Sequence, residues 1–143
     1  MSATRTGAPI APLHSGRYDL VFRVLLPVPP STNNLFFNGR GGRRHKTPRY
    51  KAWLKECSQH FLTLGYHRYD KKDKTKQCVI LDVPINYQRD LDNVIKPTLD
   101  ALKQSSVIPD DRWVNEIHAY RTRGSEEKMM VYILKEREAW RDA

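Results

Sequence analysis

The sequence predicts a two-layer α+β fold in which two helices pack on one small mixed β-sheet, in the order β-α-β-α-β-β. Three observations carry this. Tyr18 to Leu26 and Val79 to Tyr87 alternate apolar side chains with the period of two that a half-buried strand requires. The stretches after Thr47 and after Asp90 repeat apolar residues at helical spacing instead. Two further strand-like runs, Val114 to Arg123 and Met129 to Glu136, close the chain around a turn at Gly124-Ser125.

At 143 residues the chain is long enough for one domain and one core. Residues 1–16 mix small residues, prolines and arginines without periodicity and read as a flexible arm; the domain spans 17–137, and 138–143 are expected to fray. In the first strand Leu20, Phe22, Val24 and Leu26 share a face, and Pro27, Pro29 and Pro30 end it. The loop that follows, PPSTNNLFFNGRGGRRHKTPRYKAW, sets Gly39, Gly41 and Gly42 among Arg40, Arg43, Arg44, Lys46, Arg49 and Lys51. With Asn33 and Asn34 these are the residue types that contact phosphate backbones, although a solvated arginine-rich hairpin has the same composition. Asn33, Asn34, Arg40, Arg43, Arg44 and Lys46 are the expected DNA contacts.

Thr47-Pro48 is an N-cap followed by proline at the first helical position. Trp53, Leu54, Cys57, Phe61 and Leu64 then form the buried stripe of helix one, and Gly65 stops it. A polar, lysine-rich loop over 68–76 leads to the clearest strand, with Val79, Leu81, Val83, Ile85 and Tyr87 on one face; Pro84 suggests an edge position or a face needing no donor. In the second helix Leu91, Ile95, Leu99 and Leu102 form the stripe, and Pro97 demands a delayed start or a kink.

Charge narrows the function. The 25 Lys and Arg against 16 Asp and Glu leave a formal charge of +9, which points to a polyanionic partner. No apolar run approaches the roughly 20 residues needed to span a bilayer, so a membrane partner is not expected. The N-terminus lacks the apolar core of a secretory signal, which points to the cytoplasm. Cys57 and Cys78 have no metal-ligand spacing and read as reduced and buried, and the scattered histidines suggest no transition-metal centre.

Against this basic background RDLDNVIKPTLDALKQSSVIPDD, residues 89–111, concentrates acid. Asp90 and Asp92 stand one residue apart, Lys96 follows, and Asp110-Asp111 closes the segment, returned by the helix toward the same end of the sheet. Asp82 would lie about 26 Å from Asp90 along an extended chain and is excluded. Magnesium takes hard oxygen ligands and keeps several waters, so a few carboxylates and a substrate phosphate hold it. Such an ion supplies what phosphodiester hydrolysis needs. Lys96 can pair with Asp92 or reach the scissile phosphate. Each feature has a plain structural reading as well: Asp90 or Asp92 as a helix cap, Asp92 with Lys96 as an ordinary ion pair, Asp110-Asp111 as a turn. A calcium loop does not fit, because the following glycine and the distal glutamate are missing. Together, on so basic a chain, they favour a nuclease.

These two segments resemble the RusA family of Holliday junction resolvases, in the RDLDN-x-x-K, DAL and DD positions and in the proline-asparagine, glycine-arginine and aromatic loop. The resemblance implies a homodimer, bacterial or prophage-encoded, that binds branched DNA and makes paired symmetric nicks in recombination and repair. It implies Mg2+ as the cofactor, with Mn2+ as a substitute. It places the acidic triad on Asp90, Asp92 and Asp111, with Asp110 adjacent, and the essential lysine on Lys96. The rivals are a less selective flap or branch nuclease and a non-catalytic DNA-binding dimer.

Overall fold

A computed structural model describes residues 16–65, 70–123 and 128–141. All but the last residue of the arm over 1–16, the start of the lysine-rich loop and the turn at Gly124-Ser125 lie outside these. The α+β class and the mixed sheet agree with the sequence. Four strands, β1 (Tyr18–Pro27), β4 (Gln77–Pro84), β5 (Val114–Arg123) and β6 (Lys128–Glu136), form a sheet in the order β1-β6-β4-β5. β6 is antiparallel to both neighbours, and β4 and β5 run parallel. Helices α1 (Pro48–Thr63) and α2 (Ile95–Gln104) contribute to a core built on the residues of one sheet face.

Three elements depart from the predicted order. β2 (Phe36–Asn38) and β3 (Arg44–Lys46) make a separate antiparallel ribbon inside the glycine-arginine loop. The stretch expected to fray carries a one-turn helix, α3 (Glu138–Arg141), whose Trp140 ring lies 5.5 Å from the Arg17 guanidinium. β4 is internal and wholly buried, not an edge strand; Pro84 is tolerated because it is the last residue, where the ladder is already irregular. Ile85, expected on the buried face, is therefore exposed in the following turn.

The first strand shows how a bulge overrides a pattern. Alternation places Leu20 with Phe22, Val24 and Leu26, yet the register shifts between Leu20 and Phe22. The extra residue reverses the parity. Leu20 is exposed, Val24 and Leu26 enter the main core, and Tyr18 joins Cys78, Ile80, Tyr132 and Leu134 on the opposite face. Cys57 and Cys78 are both free and buried.

Helix α1 starts where its cap predicts. The Thr47 hydroxyl accepts from the Tyr50 amide at 3.1 Å and donates to the Asn34 carbonyl at 2.5 Å, tying the helix start to the preceding loop. Tyr50, Trp53, Leu54, Cys57 and Phe61 are buried, and the Trp53 indole donates to the Pro27 carbonyl. Leu64 falls off the stripe because the helix ends at Thr63, and Gly65 takes a positive φ of 63°. Thr47→Ala removes the cap and strands the Asn34 carbonyl together. It is expected to cost about 1–2 kcal/mol, read as a lower urea midpoint at unchanged slope.

Candidate functional site

The acidic segment is held in place by backbone contacts, leaving its carboxylates open. After β4 a turn forms, with the Tyr87 amide donating to the Pro84 carbonyl. Arg121, on β5, then clasps the chain by donating to the carbonyls of Tyr87, at 3.1 Å, and Arg89, at 2.5 Å. Asp90 is extended and precedes a 3-10 turn over Leu91–Val94. Asn93 locks that turn: its amide and side chain both donate to the Asp90 carbonyl, while its side-chain oxygen accepts from the Thr32 amide and hydroxyl. The loop carrying Asn33 and Asn34 is thereby joined to the acidic segment.

The 3-10 turn also resolves Pro97. α2 begins at Ile95, so Pro97 falls in its first turn, where an amide has no helical acceptor. Neither Asp90 nor Asp92 caps a helix: no side-chain cap bond forms, and among the described residues neither carboxylate has a partner. Both are exposed. The Tyr87 hydroxyl is buried without a hydrogen bond among the described residues. Burial raises its pKa, the charges of Arg89 and Arg121 oppose this, and those of Asp92 and Asp90 add to it.

Lys96 does not pair with Asp92. Asp92 lies in the 3-10 turn, outside the α-helix, whereas Lys96 and Asp100 both lie on α2 with the spacing that brings side chains together. The Lys96 ammonium donates to Asp100 Oδ1 at 3.0 Å, and Asp100 Oδ2 accepts from the Tyr50 hydroxyl at 2.6 Å. A buried tyrosine of α1 therefore fixes the carboxylate that holds an otherwise exposed lysine. Residues four apart were visible in the sequence; Tyr50, fifty positions away, was not.

The three carboxylate positions do not meet at one end of the sheet. β4 and β5 are parallel, with Gln77 beside Val114 and Pro84 beside Arg123. Asp111 precedes Val114, while Asp90 follows the opposite end of β4, near Arg121. A crossover between parallel strands necessarily joins opposite ends of the sheet. Among the described residues no three His, Cys, Asp or Glu side chains are set to hold one ion. Asp110 caps a 3-10 turn (Asp111–Trp113) by accepting from the Arg112 amide, and Lys103 lies 3.9 Å from both Asp110 and Asp111. Asp82 is buried within β4, apart from the site.

The expected DNA contacts lie around the ribbon. Arg44 covers the Phe36 ring at 4.4 Å, and among the described residues no carboxylate pairs with Arg40, Arg43, Arg44 or Lys46. A Cβ at Gly39 would overlap the exposed His45 ring, which would have to swing aside to admit it. Asn34 is partly committed internally, donating to the Ser31 hydroxyl.

No helix among the described residues is long and apolar enough to cross a membrane. Comparison with known proteins puts this basic α+β domain, with its open carboxylates a few residues ahead of a held lysine, in the nuclease class. The family model described as Endodeoxyribonuclease RusA matches residues 27–134. The chain belongs to the RusA endodeoxyribonuclease family. It is 30% identical over 100 residues to the crossover junction endodeoxyribonuclease rusA of Enterobacteria phage HK97, covering 70% of this chain and 82% of the phage protein. It is 30% identical over 94 residues to the crossover junction endodeoxyribonuclease RusA of Aquifex aeolicus (strain VF5), covering 65% of this chain and 71% of that protein.

The Asp110 turn titrates predictably. Asp110 is held below the usual carboxylate range, first by hydrogen bonding from the adjacent Asp111 carboxyl while that group keeps its proton and then by the Arg112 amide. A folded-state pKa below the unfolded one stabilises the fold at pH values above the ordinary range, and that contribution is lost as pH falls through the lowered value. The gap in urea midpoint between wild type and Asp110→Asn should therefore narrow as pH falls from about 5 to about 3. A gap independent of pH would contradict the assignment.

Proposed function

We propose that the chain is a Mg2+-dependent endodeoxyribonuclease that acts as a homodimer on four-way DNA junctions, making paired symmetric nicks in recombination and repair. The observation that carries the reading is the open Asp90–Asp92 pair next to a lysine held by Asp100. Two exposed carboxylates fit magnesium, which asks for one or two of them plus waters and a substrate phosphate; Mn2+, which also favours such oxygen ligands, is expected to substitute. When bound, the ion supplies polarisation of the phosphoryl oxygens and activation of water near neutral pH.

The chain's own residues do the rest. Lys96 presents its ammonium to the phosphate, where charge grows during hydrolysis. Asp100 and Tyr50 limit where that ammonium can go, so less of its freedom is lost on binding. Arg40, Arg43, Arg44 and Lys46, with Asn33 and Asn34, position the backbone. Asp111 stands at the far end of the β4–β5 pair, and we assign it to the site of a partner copy, with two equivalent sites related by the two-fold axis.

A labelled four-way junction, mobile at its core, tests the activity, with Mg2+ and then with EDTA. Wild type is expected to nick it symmetrically only with the metal; equal cleavage of flaps and plain duplex would favour a less selective nuclease. Asp92→Asn and Asp111→Asn should each bind the junction without cutting it. Mixed together, they should recover nicking, because one of the two sites in a mixed dimer is then intact. Failure of the mixture to recover any cleavage would place Asp111 in its own chain's site, and cleavage by Asp111→Asn alone would place it in none.

The role of Asp100 has a separate test. Lys96→Met is expected to lower the single-turnover rate by about 10²-fold and Asp100→Asn by about tenfold, with junction affinity nearly unchanged. In the Lys96→Met background Asp100→Asn should cost nothing more. Equal losses in both backgrounds would mean that Asp100 acts on the fold instead of through Lys96.

A further inference from the structure

A groove of about 730 Å³ runs along α1 toward the C-terminal end of α2, lined by Lys46, Lys51, Leu54, Lys55, Ser58, Leu62, Gly65, Gln104 and Ser105. Its lining contains three lysines and no carboxylate. None of the three ammonium groups has an ion pair among the described residues, and nearby Glu56 faces His60, at 3.8 Å. The helix ends at Gly65 and Ser105 bring partial negative charge of about half a unit each, which the lysines outweigh. The groove therefore favours an anion.

Which anion follows from the rest of the lining. Ser58, Gln104 and Ser105 are neutral groups that hydrogen-bond phosphate oxygens, and Lys51 and Lys55 stand one helical turn apart, about 6 Å. A groove for single-stranded nucleic acid combines positive charge with aromatic platforms for the bases, and this lining has no aromatic side chain. Gln104 lies about 12 Å along α2 from Lys96, far enough for the groove to hold DNA outside the scissile position. Tyr50, which holds Asp100, immediately precedes Lys51 on α1, so groove and reacting centre share one rigid helix pair.

We propose that this groove binds the phosphodiester backbone of a duplex arm flanking the cleavage point, without reading its sequence. The identity of the polyanion rests on the nuclease reading above. Fluorescence anisotropy of a labelled plain duplex, titrated across a KCl series, provides the test. Each lost phosphate contact reduces the slope of log affinity against log salt by about 0.9, so Lys51→Ala/Lys55→Ala is expected to reduce it by about 2. Lys51→Arg/Lys55→Arg, which keeps the charges, should restore the wild-type slope.

An unchanged slope in the alanine variant overturns the groove assignment, and so does a wild type that binds no duplex. The two proposals separate cleanly. Junction cleavage with an unchanged slope keeps the nuclease and removes the groove; a reduced slope without any junction cleavage keeps the groove and removes the nuclease.

Discussion

The parallel pairing of β4 with β5 is the constraint on which the rest depends. Parallel neighbours must be joined by a crossover, and here the crossover is the acidic segment followed by α2. One connection therefore carries Asp90, Asp92, Lys96 and Asp100 at its start and Asp110 and Asp111 at its finish. The helix separates the two acidic positions by its own length. Because β4 is buried between β5 and β6, that separation is built into the core.

Rigidity at the acidic end comes from polar contacts that leave the carboxylates alone. Arg121 reaches from the edge strand to two backbone carbonyls, and Asn93 bridges the 3-10 turn to Thr32. Backbone groups are satisfied, and Asp90 and Asp92 stay open to solvent. Two exposed like charges so close would repel; a nearby lysine and a bound cation are the natural ways to relieve that. Asp100 differs from them in being half-buried and doubly engaged, which suits a support better than a ligand.

The cations are unevenly partnered. Among the described residues those of the ribbon and of α1 have no carboxylate partner, whereas Arg17, Lys103, Arg112 and Lys135 are neutralised within the fold. Keeping many unpaired positive groups destabilises a compact state through self-repulsion. A polyanionic partner removes that penalty on binding, so the cost in stability becomes a gain in association.

Much of this was legible in the sequence because it depends on neighbours along the chain. The Thr47-Pro48 helix start, the delayed start of α2 that Pro97 demands, the alternation of β4 and the concentration of acid at 89–111 all follow from local sterics and spacing. Other features needed the third dimension. The bulge that turns Leu20 outward, the burial of β4, the ribbon within the arginine loop and the α3 turn depend on which strands meet and in what register. Composition and short spacings are properties of the chain, so the sequence is enough to show where the charge lies and which residues are candidates for the chemistry. Only the tertiary structure decided that Lys96 rests on Asp100 under Tyr50 and that Asp111 lies across the sheet from Asp90, because both depend on pairing between residues distant along the backbone.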